Sequence, residues 1–289
     1  MKKIVFSIII MFTFFSGCDK IEGPYLAESS AIDTDVDFPP LDTNAVFRKI
    51  LLEEFTGHLC PNCPDGAQEV HNLCQRYGDT LVPIAVHAGF FSSVSSGLFS
   101  YNFQTEEGQT LASDFSVNSY PSAVIERTLY HNQMAMSTVS DWGAAISHLN
   151  RNDVPAAIQI ISQYDAVTQN LSVHTLTTAL QDYTSPVKLA LYIIEDQIIA
   201  PQQVHSIVDT FYVHNHVLRK AINGAYGHFL TQSEEGDAGL LRTHTYPLSY
   251  RFDCQNTPWN IAHCQVVAIL FDSETHEVLQ VERKSLNNE

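Results

Sequence analysis

Apolar and polar positions divide the chain into two textures. From residue 49 to residue 150, short apolar runs alternate with stretches of helical period. Residues 49–55 read as a strand in which Ile50, Leu51, Leu52 and Phe55 surround two acids, and Thr56-Gly57 makes a turn after it. Residues 61–77 read as a helix: Ala67, Val70, Cys74 and Tyr77 recur at offsets of three and four, and Gly78-Asp79 stops it. A strand over 81–87, a Ser-, Gly- and Phe-rich loop over 89–108 and a short helix over 110–115 follow. A strand over 122–126, led by Tyr120-Pro121, and an amphipathic helix over 137–150 complete an α/β order. After Arg151-Asn152-Asp153 the helical period disappears. Residues 154–164, 170–180, 187–195, 240–252, 261–271 and 278–283 read as strands punctuated by Gly, Asn, Asp and Pro, which predicts a mainly β, sandwich-like region. Residues 213–229 fit neither pattern.

Composition narrows the function classes. The chain has 289 residues, 45% of them hydrophobic, enough for one large core or two ordinary ones. Its net charge is -17, which opposes both a nucleic-acid surface and a polybasic grip on anionic lipid. The start of the chain reads as an address. Lys2 and Lys3 precede an apolar run, Ile4 to Phe15, that is shorter than the ~20 residues of a spanning helix. It ends in Phe15-Ser16-Gly17-Cys18, small residues before a cysteine, which look like a lipobox with Cys18 as the acylated residue. The expected organisation is a lipoprotein signal peptide (1–17), a lipidated cysteine with an acidic tether (18–46), an α/β domain (47–152) and a β-sandwich domain (153–289). Residues 38–47 have an alternative reading as an extra strand.

The candidate chemistry is Cys60-Pro61-Asn62-Cys63. Cysteines three apart at a helix start share one face and can close a small disulfide ring, and the helix N-terminus favours a thiolate on Cys60. A thiolate is the nucleophile of thiol–disulfide exchange, and Cys63, deeper in the helix, would resolve the mixed disulfide. Glu54, on the strand leading into the motif, would point under the helix, take the Cys63 proton and carry a pKa raised by burial. A cis X-Pro bond at Pro121 would bring its loop against the dithiol. A structural disulfide and half of a zinc site are the competing readings; four tetrahedral ligands are not evident, so no metal or cofactor is expected. Cys74 lies too far along the helix to bond Cys60 and reads as a buried core residue. Cys254 and Cys264, flanking a connection that contains Pro258 and Trp259, are expected to bond each other. His214 and His216 have the spacing of a metal pair without a third ligand, and the structural reading is favoured. His58, beside the dithiol, reads as either a tuning or a solvated residue.

A strand bearing an acid, a C-x-x-C helix start and a proline-led strand together resemble the thioredoxin-like fold. The resemblance assigns Glu54 to the buried acid, Cys60 and Cys63 to the dithiol and Pro121 to the cis-proline. Leu59 stands where an aromatic residue usually precedes the first cysteine, and Pro64 follows the second. The lipobox, the stretch from Glu54 to Pro64 and the later His214-Asn215-His216-Val217-Leu218-Arg219 are similar to the Omp-twenty-eight-related lipoproteins of Bacteroidetes. That resemblance implies an outer-membrane location and a thioredoxin-like region joined to a β-sandwich. Two functions stay open: thiol–disulfide exchange on cysteine-bearing envelope or surface proteins, or a non-catalytic binding or assembly lipoprotein that keeps the pair as a structural disulfide. An accessible Cys60 favours the first, and a buried, inert pair favours the second.

Overall fold

The computed structural model describes residues 36–230, 232–233, 236–237 and 239–286. The expected leader, Cys18 and the first part of the tether lie outside the described residues. The first half builds β1 (Ile50–Thr56), α1 (Cys63–Tyr77), β2 (Leu81–His87), α2 (Glu106–Asp114), β3 (Ser122–Ile125) and α3 (Trp142–His148). The second half opens with three long strands, β4 (Ala156–Asp165), β5 (Asn170–Ala179) and β6 (Val187–Glu195). Short strands follow: β7 (Ile198–Ile199), β8 (Gln202–Val204), β9 (Ile207–Asp209), β10 (Val213–His214), β11 (Val217–Ala221) and β12 (His228–Phe229). Then come β13 (Gln232–Ser233), β14 (Gly236–Asp237), β15 (Thr245–Asp253), β16 (Cys264–Asp272) and β17 (Val278–Ser285). The fold is mixed α/β, and mostly β in its C-terminal part.

The expected boundary at 152/153 marks a change of texture along the chain but not a gap in space. One sheet runs in the order β17-β16-β6-β11-β2-β1-β3, with β12 also on β6. β11 comes from the segment that fits no sequence pattern, and it joins the two halves. It pairs parallel with β2 at Val217 and Ala85, and the Ala85 amide donates to the His216 carbonyl at 2.7 Å. On its other edge β11 pairs antiparallel with β6. A second, three-stranded antiparallel sheet, β15-β5-β4, faces the β6–β16 end of the large one. Ile158, Val173, Leu191, Ile193, Val266 and Ala268 fill the space between them. No extra strand forms over 38–47; the Pro39 carbonyl instead accepts from Gln159 Nε2 at 2.7 Å.

Strand alternation decides what each face of β1 meets, because successive side chains point to opposite sides of a sheet. Ile50 and Leu52 pack with Val70 and Leu73 of α1 and with Trp142 and Ile146 of α3. Leu51 and Phe55 pack on the opposite face with Leu111 and Phe115, in a core that continues to Tyr192, Ile269 and Phe271 in the second half. Burying a leucine or phenylalanine side chain is worth about 1.5–3 kcal/mol, so a core shared by both halves ties them together strongly.

Candidate functional site

Glu53 and Glu54 are neighbours on a fully buried strand, so they face opposite cores. On one side Arg127 closes a bidentate ion pair on Glu53, Nε and Nη2 donating at 3.0 and 2.8 Å. On the other side Glu54 is 4% exposed, and its Oε1 has no hydrogen-bond partner. Burial pushes the Glu54 carboxyl up to about 8, with the charge of His216 pulling partly back. Gly66 of α1 lets the helix sit directly on this carboxyl. A Cβ at that position would lie 2.8 Å from Glu54 Oε1, 2.9 Å from Pro121 Cβ and 3.0 Å from Trp142 Cη2. The acid, the proline-led loop and the helix therefore meet at one point, at Gly66. The Tyr120–Pro121 peptide is cis.

The dithiol is oxidised: Cys60 and Cys63 form a disulfide, with their Cα atoms 5.4 Å apart. Two expectations need correction. The regular helix begins at Cys63, not at residue 61, so Cys60 lies in the turn before it, where its amide donates to the Gly57 carbonyl. Cys60 is also not exposed: Cys60 and Cys63 are 1% and 2% accessible. What covers them comes from the second half of the chain. The Gln203 amide donates to the His58 carbonyl and the His205 amide to the Pro61 carbonyl, each at 2.8 Å. Gln202 Nε2 donates to the carbonyls of Cys60 at 3.0 Å and Gly57 at 3.3 Å. The β8–β9 hairpin is thus laid across the Cys-Pro-Asn-Cys loop. On the other side the Leu59 amide donates to the Phe91 carbonyl at 2.8 Å. His58 is not solvated. It is buried, its Nε2 lies 3.0 Å from the Ser93 carbonyl, and burial holds its pKa below the usual histidine range.

Beside the disulfide, between α1 and the chain over 212–216, lies a cavity of about 340 Å³. Glu54, Cys63, Val70, Cys74, His87, His214 and His216 contribute to its wall. His87 is buried and its Nδ1 has no partner; its ring stacks on Phe103 at 4.3 Å, and burial keeps it well below the usual pKa. His214 Nε2 lies 3.2 Å from the Ala200 carbonyl, and burial brings its pKa down to about 4. His216 differs. Burial pulls its pKa down, but Asp196 and the Cys74 thiol outweigh that and bring it to about 9, so the ring carries a proton at neutral pH. The two histidines do not share one strand face: His214 ends β10, and His216 has a left-handed backbone, φ 58°, before β11. No group of three or more metal-binding side chains occurs among the described residues.

Two further cysteine expectations change. Cys74 packs against the core as expected but is only half-buried, and it also lines the cavity with His216. Cys254 and Cys264 are buried free thiols, not a disulfide, and Cys264 Sγ donates to the Asn260 carbonyl at 3.3 Å. Burial pushes Cys254 up to about 11 and Cys264 up to about 12, with nearby acids adding to both, so these thiols stay protonated and inert. Sequence reasoning missed the hairpin, His87 and the Asp196–His216–Cys74 grouping. The visible signal was His214-Asn215-His216, which periodicity could not bring to the first half of the chain.

The model of the family described as outer membrane protein Omp28 matches residues 108–289. Among solved structures, HBP35 of Porphyromonas gingivalis is similar with a TM-score of 0.63 and 16% identity, over 83% of this chain and 76% of that one. A domain of the outer membrane lipoprotein Omp28 from Porphyromonas gingivalis gives a TM-score of 0.32 and 20% identity, over 46% of this chain and 89% of that domain. No curated protein matches the chain.

Proposed function

From the premise that this chain belongs to the Omp28 family, we propose that it is an outer-membrane lipoprotein, anchored through Cys18, whose thioredoxin-like region exchanges disulfides with cysteine-bearing envelope proteins. The observation that carries the reading is Glu54: a buried carboxyl whose Oε1 has no hydrogen-bond partner, in the same cavity wall as Cys63. An unpaired acid at such depth costs stability, which a purely structural disulfide has no need of. Its pKa near 8 suits a group that must take a proton at neutral pH. The step balances. With Cys60 in a mixed disulfide to the substrate, Cys63 gives its proton to Glu54 and attacks Cys60 Sγ. The Cys60–Cys63 bond forms, the substrate–Cys60 bond breaks, and the substrate sulfur leaves with the electron pair as a thiolate that takes a proton from solvent, while Glu54 later returns its proton to solvent. Pro121 borders the substrate groove.

Exchange requires the β8–β9 hairpin to lift. Its grip on the Cys-Pro-Asn-Cys loop is polar: four hydrogen bonds, each worth about 1 kcal/mol net. The outer strand buries little, with Ile207 65% exposed. Opening therefore costs a few kcal/mol and leaves the rest of the fold in place. A specific observation favours a second reading, a binding or assembly lipoprotein with a structural disulfide: both sulfurs are shielded. Cys63→Ser in the full chain separates the two. Under the exchange reading it traps envelope proteins as mixed disulfides through Cys60, and Cys60→Ser traps none. If Cys63→Ser captures nothing, even with Gln202→Ala added to loosen the hairpin, the binding reading replaces it.

A further inference from the structure

The same cavity contains a second sulfur that the exchange pair does not use. Cys74 lies eleven residues beyond Cys63 on α1, which at ~1.5 Å per residue puts it roughly 16 Å away, out of reach of the disulfide. It shares the cavity wall with the His216 imidazole, whose charge it helps to stabilise. His216 Nδ1 lies 3.0 Å from Asp196 Oδ1, and the His216 amide donates to that same oxygen at 2.7 Å. Asp196 Oδ2 is fixed in turn by Gln265 Nε2 at 2.8 Å. Thiol, imidazole and carboxylate thus stand in series along the cavity wall: Asp196 holds the ring as an ion pair, although Nδ1 makes no aligned hydrogen bond, and a thiol beside a charged imidazole is the pairing that activates a sulfur nucleophile. His216 has a left-handed backbone, φ 58°, immediately before β11. Two other groups in the wall mark the cavity as a site for a ligand rather than a packing fault. Glu54 Oε1 and His87 Nδ1 are buried without partners, and buried polar groups left unpaired in a cleft call for an explanation.

We propose that Cys74, with His216 and Asp196, forms a second thiol site that takes low-molecular-weight disulfides by covalent exchange. The size of the cavity, about 340 Å³, sits at the small-molecule end of ligand pockets and excludes a folded partner from a half-buried sulfur. Gln68 and His71 on one side and Val213 and Asn215 on the other are exposed and form its mouth. In the reaction, Cys74 loses its proton to solvent and its sulfur attacks one sulfur of a small disulfide. The Cys74–S bond forms and the ligand S–S bond breaks, the electron pair leaving on the second sulfur, which departs as a thiol after taking a proton from solvent. Cys74 is oxidised and half of the ligand is reduced, so no outside oxidant is needed. The imidazolium of His216 stabilises the negative sulfur. The site goes beyond the Cys60–Cys63 reading and does not depend on it.

The test treats the oxidised full chain with bis(2-hydroxyethyl) disulfide and maps modified cysteines by peptide mass over time. Cys74 is expected to be modified first, with a rate that saturates in the disulfide, and well ahead of Cys254 and Cys264. His216→Asn keeps a residue tolerant of left-handed backbone and should slow Cys74 at least tenfold; Asp196→Asn should slow it less. A far-UV spectrum and unfolding midpoint check that each variant folds. If Cys74 in the unaltered chain reacts no faster than Cys254 and Cys264, or if folded His216→Asn reacts at the original rate, the site is overturned. Failure of Cys63→Ser to trap envelope proteins would leave this result untouched.

Discussion

The two faces of β1 carry the same kind of group to opposite ends. Glu53 and Glu54 are adjacent carboxyls at similar depth. Facing α2, Glu53 meets a guanidinium in bidentate geometry, and the Arg127 side chain is further enclosed by Phe115 and Phe271, whose rings lie 5.5 and 5.1 Å from its Cζ. Facing α1, Glu54 meets Gly66, Pro121 and Trp142 and no donor at Oε1. A buried charge with a partner holds a core in one arrangement; a buried acid without one keeps its proton and is poised to exchange it. Depth alone therefore does not tell a structural acid from a chemical one. The partner does.

The largest expected effect breaks the paired side. Arg127→Met leaves Glu53 buried and uncompensated, a change that typically costs about 3–5 kcal/mol. Denaturant unfolding should show a loss of that order, and Glu53→Gln with Arg127→Met should recover much of it. An Arg127→Met loss below about 1 kcal/mol would mean that Glu53 finds another partner and the two faces do not differ. Next comes the unpaired side, through pH. Glu54 has a folded pKa raised to about 8 from an ordinary 4.5. The folded state therefore binds more protons than the unfolded one between those values, and stability falls as pH rises through that window. At ~1.36 kcal/mol per pKa unit the loss reaches roughly 3 kcal/mol by pH 7. Glu54→Gln should remove this slope: unfolding curves at pH 4.5, 6 and 7 should diverge between the two proteins. Parallel curves would show that the fold does not raise the Glu54 pKa, leaving the carboxylate too weak a base to take the Cys63 proton near neutral pH.

The contrast was half visible in the sequence. Ile50, Leu51, Leu52 and Phe55 around two acids mark β1, and strand alternation sends the acids apart. The helical offsets over 61–77 place α1 to within a turn, and Tyr120-Pro121 marks the loop beside it. Arg127 was not legible as the partner of Glu53, because the pair depends on antiparallel β3 carrying the chain back past β1. The hairpin over Cys60 was less legible still. β8 and β9 are three residues each, too short for a period to register, and their docking rests on two backbone amides and one Gln202 amide reaching backbone carbonyls, which no periodic side-chain pattern encodes. β11 failed for a related reason: a bulge between Leu218 and Lys220 breaks its alternation. The mistaken Cys254–Cys264 bridge came from reading two cysteines across a loop as facing one another, while Cys264 Sγ is turned toward Asn260.

A smaller effect probes why the side bearing Glu54 is closed. Gln202 is 3% exposed and spends one amide on the carbonyls of Cys60 and Gly57. Gln202→Ala should remove roughly 1–1.5 kcal/mol of hairpin docking, about a tenfold gain in the open population. The Cys60–Cys63 disulfide should then be reduced by a small dithiol about ten times faster, with global stability nearly unchanged. An unaltered reduction rate would mean that some other segment, such as the turn at Phe91, controls access.

The smallest effect sharpens the paired side. Arg127 Nη2 also donates to the Tyr192 hydroxyl at 3.2 Å, and that hydroxyl donates to the Ala225 carbonyl. Tyr192 is fully buried, and burial raises its pKa to about 12, with Arg127 pulling against the rise, so it stays a neutral donor through the physiological range. Tyr192→Phe keeps the ring in the shared core and removes only the hydroxyl, which should cost about 1–2 kcal/mol. The informative quantity is its coupling to Arg127. If the hydroxyl belongs to the ion-pair network, the double variant Arg127→Met with Tyr192→Phe should lose less than the two single losses added together, by about 0.5 kcal/mol or more. Strict additivity would make the hydroxyl a local tie to Ala225, and the Glu53 side would then rest on one pair rather than on a network. Either result is read against Glu54, where no partner of Oε1 exists to couple with.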